Sequence, residues 1–338
     1  MPVSERPGIY SSYEVNTDIS SASGGMTVGI AAAAGSVTKC AVVTSYADAV
    51  KAFGSSCSMT ALIKAALANG AAAVSAHPVT DGGYAAAFAA LVKDDSVNII
   101  LCDKSSADAR TALKEALDNA PEQHKYKLGV CELGGTAASL AAAAKALDCE
   151  RMVLCGNTRA DGKDGEIAAA FAGLIASGSS PARSFNAAVM EGIGGLEYEF
   201  SDTDTELLIR SGVTPIESEA GEISVVRAVT TRTTTGGSAD SSWRDIGVIL
   251  TVNNVLPDVR AALRRRFMQS KNNAQTRSAI RTQVIVELEK KKKLGIIAGY
   301  SDVAAVADSS DPELCRVSFG FSVARGLNTI ELVVGVNV

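Results

Sequence analysis

Two carboxylates are the first candidates for chemistry. Asp103 and Glu132 each directly follow a short apolar run, Asn98-Ile-Ile-Leu-Cys102 and Lys127-Leu-Gly-Val-Cys131, and each run leads into a helical pattern. Such residues stand at the carboxyl ends of neighbouring parallel strands, where open α/β sheets bind ligands. Two carboxylates there can hold Mg²⁺ for phosphoryl transfer or hydrolysis. Against that chemistry, no D-x-D motif supports Asp103 and no basic residue is clearly placed to meet a phosphate. Helix N-termini also attract acidic side chains for dipole reasons alone. The enzyme reading is therefore kept as the alternative, and no catalytic residue, cofactor or metal is assigned.

Other reactive side chains are scattered. Seven cysteines, at 40, 57, 102, 131, 149, 155 and 315, form no C-x-x-C and read as reduced thiols of a cytosolic protein. Cys102, Cys131 and Cys155 each end an apolar run; thiolate ligands are one reading, small hydrophobes in buried strands the plainer one. Of the two histidines, His77 precedes Pro78 at a strand end and His124 lies in a polar connection. The chain holds no Gly-x-Ser-x-Gly elbow and no phosphate-loop motif, and Gly192-Ile-Gly-Gly-Leu-Glu197 breaks dinucleotide spacing at its last position. Gly82-Gly83 and Gly134-Gly135 could form anion nests, but turns into helices need glycine anyway.

The elements that carry these residues alternate strand and helix over 26–180. Strands are expected at 27–32, 41–44, 71–78, 97–102, 127–131 and 151–154, and helices at 60–69, 83–93, 105–119, 136–146 and 166–176. The three cysteine-ending strands recur 29 and 24 residues apart, the length of a βα unit, so the layer is built on largely parallel strands. Its alanine-rich helices imply close packing with small side chains.

Beyond 195 the texture changes. Of 55 alanines, 43 fall in the first 200 residues, which suggests two domains. Residues 246–252 alternate Ile246, Val248, Leu250 and Val252 and read as a strand, after which Pro257 opens a helix. A second helix is expected over 276–294, and 315–325 alternates with Val317, Phe319, Phe321 and Val323 inward. The expected fold is α/β plus α+β: a three-layer-like α/β domain over 25–198, an α+β domain over 199–328, and terminal β-arms at 1–24 and 329–338.

Composition narrows the function classes. The polar start, Met1-Pro-Val-Ser-Glu-Arg6, is not that of a secretory signal, and no apolar run reaches the ~18 residues of a membrane span. The net charge of −5 argues against non-specific nucleic-acid binding by the whole molecule. That figure hides a contrast: 258–293 holds eleven basic and three acidic side chains, a charge of +8, so the remainder carries −13. The Lys290 to Lys293 run reads as a solvated helix end complementing the macrodipole. The wider segment, with Arg260, Arg264, Arg265, Arg266 and Lys271, reads as a basic surface matched to an acidic protein partner.

The two ends complete the pattern. Ile9, Tyr10, Tyr13 and Val15 lie in a short alternating strand, followed by a Ser20 to Gly25 joint. Ile330, Leu332, Val334 and Val336 alternate at the other end, guarded only by Glu331. Strands so lightly blunted either fold into their own sheet or add to a neighbour's.

A series of short motifs runs along the chain: Arg6-Pro-Gly-Ile-Tyr10, Val28-Gly-Ile30, Thr44-Ser-Tyr-Ala-Asp48 and Phe53-Gly54. Its stronger part is Leu208-Ile-Arg-Ser-Gly-Val213, Val226-Arg-Ala-Val-Thr-Thr231, Asp245-Ile246 and Arg277-Ser-Ala-Ile280. It ends with Gly299-Tyr300, Val317-Ser-Phe319 and Asn328-Thr-Ile-Glu-Leu332. In order and spacing these motifs resemble the tail sheath proteins of contractile phages and phage-tail-like bacteriocins. The resemblance implies a structural subunit that stacks in six-fold rings around an inner tube, assembles extended, and contracts to drive the tube through an envelope. It also implies that the α/β domain over 25–198 is the outer one and the α+β domain over 199–328 the inner polymerisation domain. Expected partners are further copies of itself, the tube protein, and baseplate and terminator proteins, with no direct nucleic acid and no membrane insertion. Assembly is expected in the bacterial cytoplasm, the outer decorating domains of longer sheaths are expected to be missing, and Gly326 and the 20–25 joint are expected hinges.

Overall fold

The computed structural model describes residues 25–80, 82–121, 125–178, 180–311, 313–324 and 326. The expected arm residues Ile9, Tyr10, Tyr13, Val15, Ile330, Leu332, Val334 and Val336 lie outside this set, as does His124.

The chain opens with β1 (Thr27–Ala32), β2 (Ala41–Val43), α1 (Tyr46–Phe53) and α2 (Ser58–Ala68). There follow β3 (Ala73–Pro78), α3 (Tyr84–Lys93), β4 (Val97–Cys102), α4 (Ala107–Asp118) and β5 (Leu128–Leu133). Next come α5 (Ala137–Leu147), β6 (Met152–Gly156) and α6 (Glu166–Ser177). Polar residues just ahead of the helices start them: Ser45, Ser106 and Thr136 each accept the backbone N–H three residues on.

These strands join β7 (Ala188–Val189), β8 (Val213–Glu219), which follows α7 (Asp202–Arg210), and β9 (Glu222–Val225) in one sheet. Its order is β2-β3-β1-β4-β5-β6-β8-β9-β7. From β3 to β8 every neighbour runs parallel, while β2, β9 and β7 pair antiparallel at the margins. The sheet thus continues past the alanine shift near residue 200. Strand order reverses at β1, with β3 on one side and β4 on the other, so the crossover helices cover both faces. Val28, Ile30, Ile99, Leu101 and Val130 face the core shared with α1, α2 and α6. Ala31, Ile100, Cys102 and Cys131 face the core shared with α3, α4, α5 and α7. Both faces being covered explains the near-continuous apolar strands. Helix α6 is buried from Glu166 to Ala176, and at Gly173 an added Cβ would lie 2.4 Å from the Ala66 carbonyl oxygen of α2.

Beyond the sheet lie the short pair β10 (Thr234–Thr235) and β11 (Ser238–Ala239), then α8 (Ile246–Phe267) and α9 (Ala274–Lys293). The chain continues into β12 (Ile297–Ala307) and β13 (Cys315–Val323), an antiparallel pair separate from the large sheet. The strand expected at 246–252 is instead the start of α8, capped by Asp245, whose carboxylate accepts from Gly247 N at 2.8 Å. Pro257, expected at a helix start, sits inside that helix. Ile246, Ile249 and Leu250 of α8 belong to the first core, whereas Val255 and Val259 pack with Val284, Leu288, Ile296 and Ile297 in a third. One helix therefore links two cores. Among the described residues α8 alone is long and apolar enough to cross a membrane, but its apolar side chains are those that fill these cores.

Candidate functional site

Asp103 and Glu132 do stand at the ends of β4 and β5, and both are buried. Their oxygens have separate partners. Asp103 accepts from Ala33 N at 2.9 Å and from the Tyr84 hydroxyl at 2.6 Å, which ties the turn after β1 and helix α3 to the end of β4. Burial, reinforced by that bond to Asp103, pushes the Tyr84 phenol well up from its ordinary range. Glu132 accepts from Gly165 N at 2.6 Å and Ala168 N at 2.9 Å, capping the first turn of α6. Burial pushes its carboxyl up to about 7 despite the opposing pull of the Ala168, Gly165 and Ile167 N–H groups. The two carboxylates are structural ties, not a shared metal site. Among the described residues no group of three or more His, Cys, Asp or Glu side chains is arranged to hold a metal ion.

The other sequence candidates resolve similarly. Cys102, Cys131 and Cys155 are buried small hydrophobes whose thiols are pushed up by burial. Gly134 is required by close approach, since a Cβ there would lie 2.5 Å from the Tyr198 ring. Gly326, an expected hinge, is packed so that an added Cβ would lie 2.7 Å from that of Ser184.

What remains is a surface. Helices α8 and α9 pack together through the third core, and β12 and β13 lie against them with Val317, Phe319 and Phe321 turned inward as their alternation implied. Arg281 Nε donates to the Val303 carbonyl at 2.8 Å, and the Tyr300 hydroxyl donates to Glu289 at 2.9 Å, tying α9 to β12. Lys291, read from sequence as part of a solvated run, is buried: it donates to Asn254 Oδ1 at 2.6 Å and pairs with Asp258. Lys290 pairs with Glu287 at 3.1 Å. The three acidic side chains of the basic segment are thus all engaged inside the helical pair or by the hairpin.

Five of its cations have no such acidic partner. Arg260, Arg264, Arg265, Arg266 and Lys271 are all exposed, and among the described residues none forms an ion pair. Arg266 donates to the Gln283 amide oxygen at 2.6 Å and lies over the Phe267 ring. Arg264, Arg265 and Arg266 occupy the last turn of α8, where positive charge also complements the helix dipole. The five basic candidates are therefore exposed and without an acidic partner among the described residues, four of them on the C-terminal half of α8 and Lys271 just beyond its end. Sequence reasoning missed the helical start of α8, the whole of β12 and the tie between Lys291 and Asp258.

The hairpin is the second feature. Its strands are 11 and 9 residues long, and among the described residues no other strand pairs with either outer edge. Its ladder is offset between Ile297 and Gly299 and between Ser301 and Ala304, with Asp302 at φ 52° in the second irregularity. Two open edges of this length are a template for further strands.

Comparison with known proteins gives two family matches. The model for the phage tail sheath protein central domain matches residues 77–231, and that for the phage tail sheath C-terminal domain matches residues 238–337. No curated protein sequence matches. Among solved structures, the chain is similar to one in the contracted helical sheath of the anti-feeding prophage, at TM-score 0.73 and 16% identity, covering 99% of this chain and 100% of that one. A chain of the six-fold symmetrised baseplate of the same particle gives the same figures, TM-score 0.73, 16% identity and 99% and 100% coverage. A sheath tail protein from Desulfitobacterium hafniense gives TM-score 0.72 at 12% identity, covering 94% of this chain and 100% of that one.

Proposed function

The chain belongs to the phage tail sheath proteins, and on that premise we propose that it polymerises helically around an inner tube and contracts to drive the tube through a target envelope. It is a structural subunit, and the roles of Asp103 and Glu132 as backbone ties remove the ground for the enzyme alternative. The observation that carries the assembly reading is the hairpin of β12 and β13, whose two long edges are open among the described residues.

In this reading the arms at 1–24 and 329–338 add strands to the hairpins of neighbouring subunits. Five ladder bonds per arm, at about 1 kcal/mol net each, contribute on the order of 5 kcal/mol, and two arms act together by avidity. The outer three-layer-like α/β domain, expected over 25–198, takes in the strands of the large sheet up to Val225. The inner α+β domain, expected over 199–328, centres on the third core, with α8 running between the two. The basic surface at Arg260, Arg264, Arg265, Arg266 and Lys271 faces an acidic tube. Six-subunit rings and a baseplate contact are supported by the similarity to a chain of a six-fold baseplate. A terminator protein, assembly in the bacterial cytoplasm and the choice between phage and bacteriocin-like particle belong to the same proposal.

Deleting residues 330–338 tests the arm. The shortened protein is expected to remain folded by circular dichroism yet form no tubes by electron microscopy. Tubes of normal length from the shortened protein would sink the arm mechanism.

A further inference from the structure

Away from the hairpin and the basic surface, one exposed thiol has a base beside it. Cys40 immediately precedes β2, the outermost strand on its side of the sheet, and is exposed. Its Sγ lies 3.6 Å from Nδ1 of His77, which is carried on the adjacent β3. The antiparallel pairing of Ala41 with Ala76 holds the two together, so the contact is built into the sheet and does not depend on a loop. From this geometry we infer that Cys40 and His77 form a modification site, at which the thiol exchanges with small-molecule disulfides.

The step is balanced without a further reagent. The Cys40 sulfur attacks one sulfur of a disulfide of the oxidised-glutathione class; a new S–S bond forms as the old one breaks. The thiol proton passes to His77 Nδ1, with the ring's own proton on Nε2, and then to the departing thiolate. Burial lowers the pKa of His77 from its ordinary value, which outweighs the raising effect of Asp94 and keeps the ring neutral and able to accept at neutral pH.

The other six cysteines are differently placed. Cys102, Cys131, Cys149 and Cys155 are buried, and burial raises all four thiols, Cys102 and Cys149 to about 12. Cys57 is half-buried and its sulfur lies 3.2 Å from the Thr60 hydroxyl and 3.4 Å from the Phe53 carbonyl. Cys315 is half-buried in β13. Thiol reactivity follows exposure and a neighbouring base, and Cys40 alone combines them among the described residues.

The test treats the full-length protein with oxidised glutathione at neutral pH and follows each cysteine by peptide mass mapping. Exposure is controlled with a Lys39→Cys substitution in a Cys40→Ser background, which places a thiol at the adjacent exposed position. The Cys40 thiol is expected to react about tenfold faster than that control, and His77→Gln is expected to slow it about tenfold. Equal rates for Cys40 and the position-39 thiol would overturn the inference, and so would an unchanged Cys40 rate in a folded His77→Gln protein. The position-39 comparison does not require the histidine variant to fold.

Discussion

Glu132 shows how far a single side chain can be read. Its place at a strand tip follows from the apolar run before it, but its partners, Gly165 and Ala168, lie more than 30 residues on and bear no local mark. Distance along the chain is why a capping carboxylate looked like a candidate ligand. The same holds for Lys291, whose neighbours in sequence are exposed lysines while its partner Asp258 lies on another helix. Burial gives Glu132 a measurable signature. Its folded value of about 7 lies above the ordinary 4.5, so proton binding favours the fold. The contribution is fully present below about 4.5 and is lost as the pH rises through about 7, on the order of 3 kcal/mol in all. Urea midpoints measured from pH 5 to pH 8 should therefore fall for the natural protein and stay flatter for Glu132→Gln. Parallel curves would contradict this account of the site.

Most of the parallel strands and their helices were legible because both signals were local. Polar caps such as Ser106 and Thr136 mark starts, and five-to-six-residue apolar runs mark strands buried on both faces. Helix α8 defeated the reading for a physical reason. Ile246, Val248, Leu250 and Val252 satisfy a two-residue period, while the buried set Ile246, Ile249 and Leu250 satisfies a helical one. Asp245 as a cap was the signal that could have decided. Pro257 misled because proline inside a helix removes one hydrogen bond, a cost of about 3 kcal/mol that tertiary packing here offsets. The alanine-rich helices allow the prediction sharpest at this scale. At Gly173→Ala the new methyl meets the α2 backbone at 2.4 Å, and backbone cannot swing aside as a side chain can. A loss of about 2–3 kcal/mol is expected by chemical denaturation; a change below about 0.5 kcal/mol would mean that α2 and α6 are not packed as described.

For the whole molecule, the governing quantity is charge left over after internal pairing. A net −5 conceals a +8 segment whose acids are taken up internally, so the cations at the end of α8 have no intramolecular counterpart among the described residues. Reversing Arg264, Arg265 and Arg266 to glutamate should leave the melting temperature within a few degrees while weakening cosedimentation with the tube protein, most strongly at low salt. Undiminished cosedimentation would exclude this face from tube contact. The chain's central property, however, is self-assembly, and in the proposed arrangement two arms acting on two open hairpin edges would make it concentration-dependent. Negative-stain electron microscopy of the purified full-length protein across rising concentration measures this directly. Striated hollow tubes with six-fold cross-sections are the expected result, and discrete monomers at every concentration would contradict the account.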